Sequence, residues 1–320
     1  HKAIRRQRQM CIRDRYTSLY FVGAGGIGMS ALVRYFLAKG YKVAGYDRTQ
    51  SPLTTELKTE GLEIVYEESV ESIPDYCRNP ETTLVVYTPA IPASHSGLVY
   101  FREHGFRVVK RAELLGLITQ SSRGLCFAGT HGKTTTSSMA AHIFHESPIG
   151  CNAFLGGILR NYNSNLILSE QSPFTVIEAD EYDRSFHWLH PYMAVVTATD
   201  PDHLDIYGTE EAYLESFARF TSLIQPGGCL IMKKGIKLVP SVKENVKIYT
   251  YSARDGGDFH AGNIRIGDGT IVFDFVMPEG SVADIELGVP VEINIENAVA
   301  AMAIAWLNGV SGDDMRRAMA

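Results

Sequence analysis

Two glycine-rich segments, each between an apolar run and a helical pattern, constrain this chain more than any other feature. Gly23-Ala24-Gly25-Gly26-Ile27-Gly28 follows the apolar residues 19–22. Gly129-Thr130-His131-Gly132-Lys133-Thr134-Thr135-Thr136 follows residues 125–128. A strand that turns through glycines directly into a helix opens a βα unit, and such units stack into parallel sheets. Two openings in a chain of 320 residues predict two α/β domains, each able to bury its own core.

The intervening pattern keeps this rhythm. Strands are predicted at 19–22, 42–46, 84–87 and 107–109, with helices at 27–39, 95–104 and 111–119. Polar residues 120–124 read as a linker. A second series has strands at 125–128, 174–178, 193–197 and 229–232, and helices at 133–145 and 210–223. From 246 to 287 the pattern changes to short alternating runs with turns at Asp255-Gly256-Gly257 and Asp268-Gly269, an antiparallel sheet added to the parallel one. A helix at 295–307 closes the region, and 315–320 read as the inside of another helix.

The first loop fits G-x-G-x-x-G, and Asp47 follows Gly28 by nineteen residues, at the end of the second strand. Glycines admit a diphosphate close to the backbone, and the helix N-terminus offers free N–H groups. Asp47 is positioned to accept from ribose hydroxyls. The loop is read as binding a nucleotide diphosphate, with NAD and other nucleotides both open.

The second loop departs from G-x-x-x-x-G-K-[ST], because Phe127 stands where the pattern has glycine. Its working parts remain: a glycine turn, Lys133 for the β/γ-phosphates and Thr134 for Mg²⁺. Glu178-Ala179-Asp180-Glu181 ends one predicted strand, and Asp202-His203-Leu204-Asp205 follows another. Carboxylates at strand ends beside a phosphate loop suit Mg²⁺. A solvated acidic turn and a structural histidine are the plainer readings.

Together these motifs resemble the Mur ligases of peptidoglycan synthesis, from about residue 19 to the last. Gly25, Gly26, Ile27, Gly28, Met29 and Ser30 are similar to the family's UDP loop, and Thr88-Pro89-Ala90-Ile91 to a second segment of that site. Arg111-Ala112-Glu113-Leu114-Leu115 resembles the helix leading into the central domain. Residues 129–136 resemble the family's ATP loop, which accounts for Phe127.

The resemblance implies a Rossmann-like, doubly wound UDP-sugar domain (16–120), then a P-loop-type central ATP domain (121–320) with an added antiparallel sheet. It implies ATP contacts from Gly129, Thr130, His131, Gly132, Lys133, Thr134, Thr135, Asn294 and Asn297. Mg²⁺ ligands are Thr134, Glu178 and His203, and the catalytic set is Lys133, Glu178 and His203. The substrate set is Gly25 to Ser30 with Asp47, Thr88, Ala90, Asp180 and Glu181. Within the family the chain is most similar to the ligase joining L-alanine to UDP-N-acetylmuramate. Its ATP-dependent chemistry passes through an acyl phosphate. The rival is a recycling ligase that attaches a tripeptide. A decorated dehydrogenase and a non-catalytic nucleotide-binding fragment stand as other classes. A third domain, absent from this sequence, is expected to be needed for turnover.

Composition bounds the rest. With 45% hydrophobic and 21% charged residues and no apolar run of about eighteen, no membrane partner is expected. Six of 30 basic residues fall in positions 1–15, read as a non-native or disordered extension. The remainder shows no basic patch, so no nucleic acid is expected. Five scattered cysteines without a C-x-x-C pair suit a reducing cytoplasm.

Overall fold

In the computed structural model, which describes residues 12–320, the chain divides between Ser121 and Ser122, and each unit has its own sheet. The first unit runs α1 (Ile12–Arg15), β1 (Ser18–Val22), α2 (Ile27–Ala38), β2 (Lys42–Tyr46), α3 (Pro52–Thr59), β3 (Glu63–Val65), β4 (Thr83–Tyr87), α4 (Ser96–Glu103), β5 (Arg107–Lys110) and α5 (Arg111–Ser121). All five residues of β1 are buried, as a central strand covered on both faces requires. The order β3-β2-β1-β4-β5 is parallel throughout, and the direction in which successive strands are added reverses between β1 and β4. Ligands of such sheets sit at that reversal, outside the carboxyl ends of the strands. Sequence patterning missed α3 and β3, although Ser51 caps α3 in a capping box with Thr54 and Pro52 opens it.

Residues 1–11 of the basic segment lie outside the described residues. The extension expected over 1–15 ends sooner, since Ile12 is 7% exposed and the Tyr16 N–H donates to its carbonyl at 2.8 Å.

The second unit contains β6 (Arg123–Ala128), α6 (Lys133–Glu146), β7 (Asn152–Leu159), β8 (Ser164–Ile167), β9 (Phe174–Glu178), a 3-10 segment (Tyr182–Trp188) and β10 (Pro191–Val196). It continues with α7 (Leu204–Tyr207), α8 (Glu210–Ser222), β11 (Cys229–Lys233), β12 (Lys247–Ser252), β13 (Phe259–Gly267), β14 (Thr270–Met277), β15 (Gly280–Glu286), α9 (Ile293–Leu307) and α10 (Gly312–Met319). The linker predicted at 120–124 is corrected: α5 reaches Ser121 and β6 starts at Arg123, whose N–H donates to the Pro173 carbonyl at 2.7 Å.

All ten strands form one sheet, β15-β14-β13-β12-β11-β10-β6-β9-β7-β8. The antiparallel addition expected from residue 246 is smaller than predicted. Strand β12 lies parallel to β11 and β13 parallel to β12, leaving β14 and β15 as the antiparallel part there. The β7–β8 hairpin was not foreseen.

One face of the sheet packs on α6 and α9. Residues 298–305 of α9 are all fully buried and mostly alanine, as expected of a helix apolar on every side. A separate aromatic group surrounds α8: Phe186 stacks on Phe220 and meets Phe217 edge-on, and Phe217 meets Tyr213 edge-on. Cys77, Cys126, Cys151 and Cys229 are buried free thiols. Among the described residues, no helix is long and apolar enough to cross a membrane.

Candidate active site

In the first unit, the glycine loop links the end of β1 to α2. Gly23 has φ +98°, and a Cβ there would overlap the methyl of Thr88. The expected second segment thus closes on the loop, with Thr88 N–H donating to the Val22 carbonyl at 3.2 Å. Asp47 accepts from Gly25 N–H at 2.7 Å and from Thr49 N–H at 3.0 Å. The carboxylate read as a ribose acceptor therefore first holds the loop in shape. A side chain on Gly25 would press on that carboxylate at 2.7 Å and on Thr54 at 2.9 Å.

The loop residues differ in what they offer. Gly26 has nothing within 4 Å of a Cβ position, and Ile27 is 64% exposed. Ala90 is exposed as well. Met29 and Ser30, expected in the substrate set, turn their side chains to the core, 4% and 2% exposed. The Ser30 hydroxyl donates to the Ile27 carbonyl and its amide to Gly26, each at 2.8 Å. Arg111 was read only as a helix start, but its Nε lies 2.8 Å from a Cβ position on Gly28, against the first turn of α2. Sequence spacing gives no signal for this approach.

In the second unit, the loop between β6 and α6 needs its glycines. Gly129 has φ +144° and its Cβ position overlaps Thr197 Oγ1; Gly132 has φ +82°. Because α6 begins at Lys133, the amides of its first turn point out of the helix end, where anions bind. His131 is exposed, and its carbonyl accepts from Thr197 Oγ1. Thr130, expected among the ATP contacts, is anchored here: its amide donates to the Ala198 carbonyl at 3.1 Å and its hydroxyl to the Asp200 carbonyl at 2.7 Å.

Three strand ends converge on this loop. Lys133 Nζ lies 2.8 Å from the Glu181 carboxylate, which is 1% exposed, and 3.2 Å from the Gly129 carbonyl. Glu181, read as a substrate contact, is thus the buried counter-charge of the loop lysine. Asp180 stays exposed and accepts from Tyr182 N–H at 2.9 Å. The Thr134 hydroxyl donates to Glu178 Oε1 at 3.0 Å, and Gly156 N–H donates to Glu178 Oε2 at 2.9 Å.

A threonine hydroxyl beside a carboxylate is a pair of hard oxygens, a fit for Mg²⁺ once phosphate oxygens complete the shell. Among the described residues, no three His, Cys, Asp or Glu side chains form a ready-made metal cluster. His203 Nε2 lies 3.7 Å from Glu181, with the Tyr182 ring edge-on at 5.3 Å. Left-handed backbone at Asp183, Arg184 and His203 marks these same segments.

Asn297 packs on the loop from α9, accepting from Thr136 Oγ1 at 3.3 Å and donating to Asn294 at 3.3 Å. Asn294 lines a cavity of about 580 Å³ with Thr134, Thr135, Ser138 and His142. Gly156 was missed by sequence reasoning, and its Cβ position overlaps the Glu178 carboxylate. The pair Gly156-Gly157 in an unassigned segment was the signal available.

Comparison with known proteins places the chain in a family. The profile of the Mur ligase middle domain matches residues 127–305, and that of the Mur ligase family catalytic domain matches 18–123. A UDP-N-acetylmuramate–L-alanine ligase of Parabacteroides distasonis is 67% identical over 307 residues, covering 96% of this chain. The chain spans 66% of that relative's length.

Two solved structures share the fold. A UDP-N-acetylmuramate:L-alanyl-gamma-D-glutamyl-meso-diaminopimelate ligase from Neisseria meningitides superposes with TM-score 0.78 at 21% identity, covering 95% of this chain and 97% of that one. A UDP-N-acetylmuramate-alanine ligase from Thermotoga maritima superposes with TM-score 0.74 at 23% identity, covering 94% and 67%. With profiles matched across both units, the chain belongs to the Mur ligase family.

Proposed function

We propose that this chain carries the UDP-sugar-binding and ATP-binding parts of a ligase that joins L-alanine to the lactyl carboxylate of UDP-N-acetylmuramate. The observation that carries the reading is the 67% identity, over 96% of the chain, to a relative bearing that name. The meeting of Lys133, Thr134, Glu178 and His203 around one phosphate loop supports it. On this reading residues up to about 120 hold the UDP-sugar and residues from 121 hold ATP. A further domain is needed for turnover, and the work is done in the cytoplasm.

A carboxylate is a poor electrophile, so the γ-phosphoryl of ATP is transferred to it first. The amine of alanine then attacks the acyl phosphate, forming the amide and releasing phosphate. Mg²⁺, when bound, neutralises charge on the triphosphate. Thr134 and Glu178 would hold that ion and His203 a second. Lys133 leaves or shares Glu181 to face the β/γ-phosphates, and the first-turn amides of α6 orient them. Asn294 and Asn297 contact the base.

Calorimetric titration of the chain with UDP-N-acetylmuramate, NADH and MgATP tests binding, with the UDP-sugar expected to bind more tightly than NADH. Phosphate release with ATP, UDP-N-acetylmuramate and either L-alanine or a tripeptide tests chemistry, comparing this chain with one carrying the further domain. Turnover with L-alanine in the longer chain alone is expected. Tighter NADH binding, or preference for the tripeptide, overturns the reading.

A further inference from the structure

Thr130 is held from outside its own loop. Its hydroxyl lies 2.7 Å from the Asp200 carbonyl and 2.8 Å from the Tyr213 hydroxyl. A carbonyl can only accept, so the single proton of Thr130 goes to Asp200, and Tyr213 donates its own to Thr130 Oγ1. The chain of bonds therefore has one direction, from α8 through the loop to the segment after β10. Burial pushes the Tyr213 hydroxyl up to about 12, which keeps the proton on the donor.

The ring of Tyr213 is fully buried, edge-on to Tyr207 at 4.9 Å and to Phe217 at 5.1 Å. A phenylalanine would fill that volume equally well, so packing does not require the oxygen. Its partner is Thr130, whose amide is also engaged, by Ala198. Three residues beyond Asp200 stands His203. The neighbouring Tyr207 donates to the Glu181 carbonyl, so the α7–α8 pair touches both the loop and the residue that holds Lys133.

We propose that Tyr213 is a positioning residue of the nucleotide site, fixing Thr130 and through it the phosphate loop against the Asp200–His203 segment. The proposal rests on the reading of residues 129–136 as the triphosphate loop. It makes the hydroxyl of a buried tyrosine, remote from the phosphates, a determinant of MgATP affinity. Without it Thr130 keeps one bond of two and gains freedom to rotate, and the loop loses part of its preorganisation.

The test titrates MgATP, and separately UDP-N-acetylmuramate, into the whole chain as wild type, Tyr213→Phe, Thr130→Val, Thr130→Ser and the double variant Tyr213→Phe/Thr130→Val. Loss of one net hydrogen bond is expected to weaken MgATP by about fivefold to tenfold in Tyr213→Phe, and Thr130→Val, which breaks both bonds of that hydroxyl, should weaken it at least as much. The double variant should be no weaker than Thr130→Val alone, because both deletions break one shared bond. Thr130→Ser should bind as wild type, and UDP-N-acetylmuramate affinity should stay constant throughout. Wild-type MgATP affinity in Tyr213→Phe, or losses that add in the double variant, would make Tyr213 a core tyrosine only. A Tyr213→Phe chain that loses both ligands equally points to the fold rather than the loop, and overturns the proposal too. A wild type that binds the UDP-sugar but no MgATP sinks the underlying loop reading, a result distinct from an unaffected Tyr213→Phe.

Discussion

Lys133 Nζ and the Glu181 carboxylate stand 2.8 Å apart, with the lysine side chain 17% exposed and the glutamate 1%. The lysine of the phosphate loop therefore has a buried counter-charge before any nucleotide arrives. Breaking such a pair strands a charge in a medium that solvates it poorly, whereas a bound triphosphate offers a second counter-charge.

Glu181→Gln keeps the shape and removes the charge. It should destabilise the second unit by about 3 kcal/mol. For a unit of this size that is a fall of roughly 6–12 °C in melting temperature, partly restored by MgATP. Calorimetry with and without nucleotide checks this, and an unchanged midpoint would show that the pair contributes nothing.

Lys133→Ala should weaken MgATP by more than about tenfold, as expected for a lost charge-assisted contact, and leave UDP-N-acetylmuramate untouched. In an enzyme carrying the further domain, acyl-phosphate formation should drop by roughly 10²–10³. Retained activity would move the ATP site away from this loop.

Thr134→Val, Glu178→Gln and His203→Ala should each raise the Mg²⁺ concentration needed for ATP binding or turnover. Thr134 and Glu178 already share a hydrogen bond, so their double variant should cost less than the two single changes combined. An unchanged Mg²⁺ requirement in His203→Ala would make that histidine structural.

Gly156→Ala should mimic Glu178→Gln. A methyl there overlaps the carboxylate, while Gly156 itself is exposed and carries little packing. Gly157→Ala is the control, since its Cβ would meet only the Thr134 methyl, at 3.6 Å. Equal Mg²⁺ dependence in the two variants would refute the steric account.

Burial pushes the thiols of Cys77, Cys151 and Cys229 from 9.0 up to about 12. A raised folded-state value means the stabilising contribution is complete below the unfolded value and is lost as pH rises through the folded one. Melting temperature should therefore fall as pH climbs from about 9 towards 12. At pH 8 these three residues should resist iodoacetamide until the chain unfolds, as peptide mapping would reveal. Fast labelling of Cys151 in the folded chain would contradict its burial.

Much of this protein was legible in local sequence. Strand β2 and strand β9 appear with the boundaries expected, because apolar runs between turn residues have few other uses. Both glycine loops fall where strand meets helix, since φ values of +98° at Gly23 and +144° at Gly129 restrict those positions to glycine-like residues. The family resemblance singled out Lys133, Thr134, Glu178 and His203, and the structure brings these four around one loop.

Partner choice was decided only in three dimensions. Whether Asp47 faces a ribose or its own loop depends on the approach of Gly25, twenty-two residues earlier in the chain. Only the fold shows that Glu181 is buried on Lys133, and that Ala198, Asp200 and Tyr213 engage the amide and hydroxyl of Thr130. The same holds for β7, whose Gly156 reaches Glu178 through sheet pairing. Local sequence determines backbone preference and burial period, because both act over a few residues. Hydrogen-bond partners are set by which strand ends become neighbours, and that is decided by the order of strands in the sheet.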